Sequence, residues 1–209
     1  MPRIKHIEYG FQSEPKGLSA PLYKQVHGNQ IIEVTNSNLD SLYRMPQEAD
    51  GALTYLTGTT LSVFTADCLP LLFYTDDPSG PIATVHCGWR GALHNIAQAI
   101  RDYCSKHSNQ MNVILGPCLG PCCFEVRQDF IDAFRGQGTD IHRYLIPRED
   151  KLFFHLSEFV IKEQLTFIEP ARIKTDELRC TYCSIPKLPS FRRNKSTDPR
   201  IRGWISKTY

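Results

Sequence analysis

Three short segments set a histidine or cysteine beside a tight-turn residue. They are Gln25-Val26-His27-Gly28, Thr65-Ala66-Asp67-Cys68-Leu69-Pro70 and Val85-His86-Cys87-Gly88-Trp89-Arg90-Gly91. Each lies at the end of an extended run, where side chains distant in sequence can converge. Two imidazoles and one thiolate make the three protein ligands of a catalytic Zn²⁺ whose fourth position stays open. Cu²⁺ would bind the same set more tightly than zinc does. Without metal, Cys68 could act as a nucleophile with His86 or His27 as its base. Taken singly, each residue is also an ordinary strand-end histidine or a small buried hydrophobe. The separations of 41 and 18 residues match no compact zinc finger, so only the fold can assemble the set.

Other residues could assist. Asp67, next to Cys68, is a candidate positioning or proton-transfer group, and equally a turn-capping carboxylate. Arg90 and the pair Arg192-Arg193 are candidate phosphate binders, because a guanidinium fork matches a phosphate edge. Phe124, Tyr182 and Trp89 are candidate walls for a bound ligand, and each is equally credible as core. A competing metal set joins Cys180-Thr181-Tyr182-Cys183 to Cys118, Cys122 or Cys123, since a CxxC is half of a structural zinc site. Coupled copper chemistry needs many imidazoles, and the seven histidines include no His-x-His pair.

The elements that must position these residues are mostly extended. Residues 24–34 read as strand-turn-strand about Gly28-Asn29, and 59–65, 69–74 and 82–86 as buried strands. Leu93, Ile96, Ala97, Ile100 and Cys104 form one apolar helical face beginning just after the His86–Gly91 segment. The Arg90 loop is thereby set at a helix N-terminus, where free N–H groups favour anions. A short strand is expected at 113–115, weaker helices at 128–134 and 157–168, and an extended stretch from Arg172. Strands outnumber helices without strict alternation, so an α+β fold is expected.

Composition narrows the class. The chain of 209 residues is 41% hydrophobic and 22% charged with net charge +2, which excludes wholesale disorder. One domain over 1–209 is expected. No apolar run approaches a membrane span, and the first residues lack the apolar core of a signal peptide, so a cytoplasmic protein with no membrane partner is expected. Eight cysteines then read as thiols or metal ligands. Residues 187–209 carry net +6 against −4 for the rest, either a phosphate contact or a solvated face. Nucleic acid is not expected as a partner, because Tyr182, Phe191 and Trp204 are too scattered for a stacking platform.

The segments QVHG, ADGALT, TADCLPLLFY, VHCGWRG, ILGPCLGPCCFEV, RCTYCS and FRR occur here in the order found in the YfiH-like family. That family is also called the multicopper polyphenol oxidase or laccase-domain family, and the resemblance spans roughly residues 20–205. It implies a catalytic zinc held by His27, Cys68 and His86. It also implies an α/β sandwich of mixed sheets flanked by helices, similar to the catalytic domain of the cytotoxic necrotizing factor toxins. Family members are described as purine nucleoside phosphorylases that also deaminate adenosine and cleave methylthioadenosine. The expected function is therefore a zinc-dependent phosphorylase of adenosine, inosine, guanosine and methylthioadenosine, with adenosine deaminase activity and small-molecule partners, nucleoside and phosphate. Alternatives are a copper-dependent polyphenol oxidase and a Cys-His amidase editing peptidoglycan precursors. The oligomeric state is open. The sequence departs from the family where residues 194–202 separate Arg193 from Gly203, which leaves the equivalent of the family's C-terminal arginine unassigned. The segment before Gln25 is also short.

Overall fold

A computed structural model describes residues 3–4, 6–14, 22–103, 107 and 110–208. The strands Leu69–Thr75 and Ile82–Cys87 are buried along their whole length, as expected for continuous apolar runs covered on both faces. They pair antiparallel at the middle of a six-stranded mixed sheet. Its order is Ile173–Lys174, Met111–Leu115, Leu69–Thr75, Ile82–Cys87, Gly51–Thr54, Ile31–Val34. One face packs on a four-stranded antiparallel sheet ordered Arg3–Ile4, Ile7–Glu14, Arg200–Lys207, Thr60–Thr65. Alternation divides the side chains between two cores. Leu72, Tyr74 and Ile114 meet Leu61, Val63 and Ile205 between the sheets. Phe73, Val85, Val113 and Leu115 face helices on the other side.

The helical layer contributes Ile96, Ala97 and Ile100 from Ile96–Tyr103, and Phe130 and Phe134 from Gln128–Gly136. Phe130, Phe134, Phe154 and Phe159 stack at centroid separations of 5.0–5.8 Å. Truncating a buried phenylalanine there would cost about 3–5 kcal/mol. The mixed α+β sandwich flanked by helices is thus present. Among the described residues, no helix is long and apolar enough to cross a membrane.

Three local expectations need correction. The helix after Gly88 is two helices, Trp89–Leu93 and Ile96–Tyr103, broken at Asn95, which takes φ 57°. Buried Gln164 supports the break, its amide donating to the Ala92 carbonyl and its oxygen accepting from the Ala97 N–H at 3.2 Å. Cys104 lies outside the described residues. The 157–168 helix is a short α-turn, Leu156–Phe159, followed by a wide π-turn, Val160–Gln164, which delivers Gln164 to that break. Finally, the strands flanking His27 enter different sheets: Tyr23–Lys24 pairs with Gln47–Glu48, and Ile31–Val34 with Gly51–Thr54.

The basic C-terminal segment contains the largest surprise. Arg200–Lys207 is a strand between Ile7–Glu14 and Thr60–Thr65. Ile201, Gly203, Ile205 and Lys207 point into the protein while the alternate residues are half-buried. Even Lys207 is buried, its Nζ donating to the Tyr55 and Gly80 carbonyls at 3.1 and 2.9 Å.

Candidate metal centre at the floor of a cavity

Strand register assembles the centre. Leu69 lies opposite Cys87 and Pro70 opposite His86, so Cys68, one residue earlier, emerges at the same sheet end as the His86 turn. Gly51 pairs with Val85 on the other side of that strand, which sets Asp50 beside His86. Fully buried Asp50 then organises both neighbours. Its Oδ1 accepts from His86 Nδ1 at 2.7 Å and from the His27 N–H at 2.8 Å. Its Oδ2 accepts from the N–H groups of Val26 and Gly28 at 3.2 and 2.6 Å. One carboxylate therefore orients the His86 ring and ties down the loop carrying His27, which sits in the left-handed region at φ 63°.

Nδ1 of His86 is occupied by Asp50, leaving Nε2 for Cys68. His27 packs edge-on to His86, with centroids 4.8 Å apart. Ligand atoms of His27, Cys68 and His86 all lie within 4.8 Å of one another. The chain bends tightly over them: a Cβ on Gly88 would sit 2.9 Å from Cys68 Sγ and 3.3 Å from His27 Cδ2. Carboxylate-supported imidazole, thiolate and a backbone cleared around the sulfur fit the donor set of a three-ligand zinc site.

Electrostatics points the same way. Burial disfavours the Cys68 thiolate, yet the His86 charge and hydrogen bonds from both histidines outweigh it and bring the thiol down to about 6. His86 is conversely raised to about 9, because the Cys68 charge and the Asp50 hydrogen bond overcome its burial. Asp50 is held below the usual carboxylate range: its burial is outweighed first by the His86 hydrogen bond and then by the loop amides.

Buried His86, half-buried Cys68 and exposed His27 all line a cavity of about 1270 Å³. Trp89, Phe124, Phe64, Phe130 and Phe191 line it, as do Arg90, Arg127, Arg192, Arg200, Lys24 and Lys195. Arg90 is exposed and stacks on Trp89 at 4.3 Å. Its helix has only five residues, so backbone N–H groups add little to its positive charge. Arg192 faces the cavity and donates twice to the Glu125 carbonyl at 3.2 Å.

Other candidates are placed differently. Arg193 turns away, its guanidinium donating to the carbonyls of Thr181, Tyr182 and Leu188. Tyr182 is stacked near Arg193 and does not line the cavity. Asp67, at φ 98°, accepts from Thr181 Oγ1 through Oδ1 and from the Arg192 N–H through Oδ2, both at 2.6 Å, so its carboxylate ties three loops together. The rival metal set forms elsewhere from Cys122, Cys123, Cys180 and Cys183, without Cys118.

Two functional residues escaped the sequence reading. Asp50 was visible only as the second letter of ADGALT, and nothing local marks it as the partner of His86. Arg200 was hidden in the basic stretch. It stacks on Phe64 at 4.4 Å on the cavity wall, and its Nε is buried without a partner.

A family model described as multi-copper polyphenol oxidoreductase laccase matches residues 12–207. The chain belongs to this family. A Shigella flexneri protein named purine nucleoside phosphorylase YfiH is 29% identical over 180 residues, 86% of this chain and 71% of that one. An Aquifex aeolicus protein named purine nucleoside phosphorylase is 31% identical over 175 residues, 83% of this chain and 76% of that one. Among solved structures, YlmD from Geobacillus stearothermophilus superposes with TM-score 0.81 at 22% identity, covering 98% of this chain and 93% of that one. The fold is thus that of the YfiH-like proteins.

Proposed function

We propose that this family member is a zinc-dependent purine nucleoside phosphorylase acting on adenosine, inosine, guanosine and methylthioadenosine, with adenosine deaminase activity at the same centre. The carrying observation is the juxtaposition of a three-ligand His27/Cys68/His86 set with a cavity that is both aromatic and cationic. Its volume of about 1270 Å³ has room for a nucleoside and a phosphate together. The names of relatives from Shigella flexneri and Aquifex aeolicus support the reading.

In this reading, His27, Cys68 and His86 would hold the zinc, which would supply a Lewis acid for water or a substrate oxygen. Arg90, Arg192 and Arg200 hold the phosphate dianion, while Trp89, Phe124 and Phe191 give the purine an apolar face. Phosphorolysis exchanges the C1′–N9 bond for a C1′–O bond to phosphate, and the base leaves carrying the proton that phosphate gives up. Holding both reactants against one floor supplies the proximity this exchange needs. Asp50 keeps His86 in the tautomer that presents Nε2, and Asp67 fixes the backbone of Arg192. Arg193 braces the 181–188 loop. One domain spanning 1–209 in the cytoplasm accords with a six-stranded sheet shared by both cores and with seven described cysteines as free thiols.

The family's copper name suits this chain poorly. Five of the seven histidines lie outside the centre, and His107, His142 and His155 face the carboxylates of Asp77, Asp140 and Glu158. The Cys-His amidase retains one supporting feature, the contact of both histidines with the Cys68 sulfur. Inosine turnover with and without phosphate, beside zinc content, tests the proposal. Phosphate-dependent hypoxanthine release that Cys68→Ala abolishes, together with loss of one zinc, is expected. Base release unaffected by Cys68→Ala overturns it, and amide cleavage by metal-free protein would favour the amidase.

A further inference from the structure

Outside the cavity lies a second cluster that the phosphorylase reading does not use. Sγ atoms of Cys122, Cys123, Cys180 and Cys183 all lie within 4.8 Å of one another, and none of the four lines the cavity. A zinc–sulfur bond of about 2.3 Å gives a tetrahedron with sulfur–sulfur edges of about 3.8 Å. The Cys122–Cys183 separation is 3.4 Å, so the thiols need only small shifts to surround one ion.

The two loops are already stitched together without metal. Thr181 donates its N–H to the Cys118 carbonyl at 2.9 Å, and Cys118 donates to the Arg179 carbonyl at 3.1 Å. Backbone N–H groups also aim at sulfur. Gly120 donates to Cys180 Sγ at 3.4 Å, and the N–H groups of Tyr182 and Cys183 are further donors to it. A Cβ on Gly120 would lie 3.1–3.4 Å from Cys180 Cβ, Cys180 Sγ and Cys122 Sγ, so glycine is what lets the amide approach. Cations flank both halves: Arg193 holds the Thr181 and Tyr182 carbonyls, and Arg148 donates to the Cys122 carbonyl at 3.2 Å. They offset the double negative charge of four thiolates around one divalent ion.

We propose that Cys122, Cys123, Cys180 and Cys183 bind a structural zinc ion that clasps the 116–124 loop to the 180–184 loop behind the cavity wall. The clasp holds Thr181, and through it Asp67, in place beside Cys68. Four thiolates close the coordination sphere, so this ion has no open position and takes no part in turnover.

Native mass spectrometry and elemental analysis of the full chain, purified anaerobically without added metal, give the test. Two zinc ions per chain are expected in the wild type, one in Cys68→Ala and one in Cys183→Ser. A wild type with one zinc, lost in Cys68→Ala, overturns the proposal, as does iron in place of the second zinc. A mass lower by two hydrogens with Cys122 linked to Cys183 overturns it equally. Should Cys183→Ser fail to fold, the wild type still decides. Exposed Cys122 and Cys183 must resist iodoacetamide until a chelator is added, and equal labelling with and without chelator refutes the clasp. Cys68→Ala retaining the clasp zinc separates this outcome from that of the phosphorylase reading.

Discussion

Two sulfur-bearing clusters, whose nearest members His86 and Cys122 are 36 residues apart in sequence, differ in what surrounds them. His27, Cys68 and His86 mix nitrogen with sulfur, rest on a buried carboxylate and face a cavity. Cys122, Cys123, Cys180 and Cys183 are all sulfur, rest on backbone amides flanked by Arg148 and Arg193, and do not line that cavity. On the two proposals, three ligands on a carboxylate would leave a coordination position for chemistry, whereas four thiolates would leave none. What surrounds the ligands, more than the ligands alone, separates a reacting centre from a brace.

Substitutions can sharpen or break this contrast. Cys68→Ala should lower kcat for phosphate-dependent base release by about 10³-fold or more, measured at saturating inosine, because the thiolate ligand goes with it. Asp50→Asn should cost about 10- to 100-fold in kcat/KM or in zinc affinity by chelator competition, since a carboxylate supporting a metal-binding histidine carries effects of that size. If Asp50→Asn leaves both unchanged, the supporting role assigned to Asp50 is wrong. Arg192→Ala should raise KM for phosphate about tenfold, as expected for loss of one charge-assisted contact of about 1.4 kcal/mol. Arg193→Ala should instead lower the melting temperature and leave that KM within about twofold. The opposite pattern would exchange their roles. Cys183→Ser should lower Tm by about 5 °C, about 2 kcal/mol for a chain of this size, while zinc at the other centre persists.

The smallest effect is a difference in titration. A thiol is an acid, so a lowered pKa populates thiolate above the new value and loses it as pH falls through that value. In metal-free protein, alkylation of Cys68 should therefore rise through about pH 6, driven by His86 and His27 against burial. Cys180, whose burial is outweighed by hydrogen bonds from neighbouring amides, should follow near 7. Burial pushes Cys87 and Cys118 upward, so both should stay unmodified. Mass mapping after iodoacetamide at stepped pH reads all four.

Much of this was legible beforehand. His27, Cys68 and His86 each stood at a strand end beside a turn residue, and strand ends of one sheet converge. The resemblance to a family then named them as a set. Asp50 was not legible, because its importance lies in register: it matters only once Gly51 pairs with Val85. What engages Arg193 and Asp67 was not legible for a related reason. Sequence shows a charged group but not whether three carbonyls or two donors already engage it. The broken helix was invisible too, since the apolar spacing continues across Asn95 and the compensating Gln164 lies 67 residues from Ala97.

The Arg200–Lys207 strand has a consequence for how the molecule is made. It pairs Ile201 with Ser13 on one side and with Thr65 on the other, so it joins two strands that do not touch without it. As the chain emerges from the ribosome, Ile7–Glu14 and Thr60–Thr65 each expose an unpaired edge until residue 207 follows. Such edges invite pairing with other nascent chains. The sheet behind the centre thus closes through contacts of very long sequence separation, the slow kind. Interruption of synthesis upstream of Arg200 leaves the four-stranded sheet divided and the cavity without its Arg200 wall.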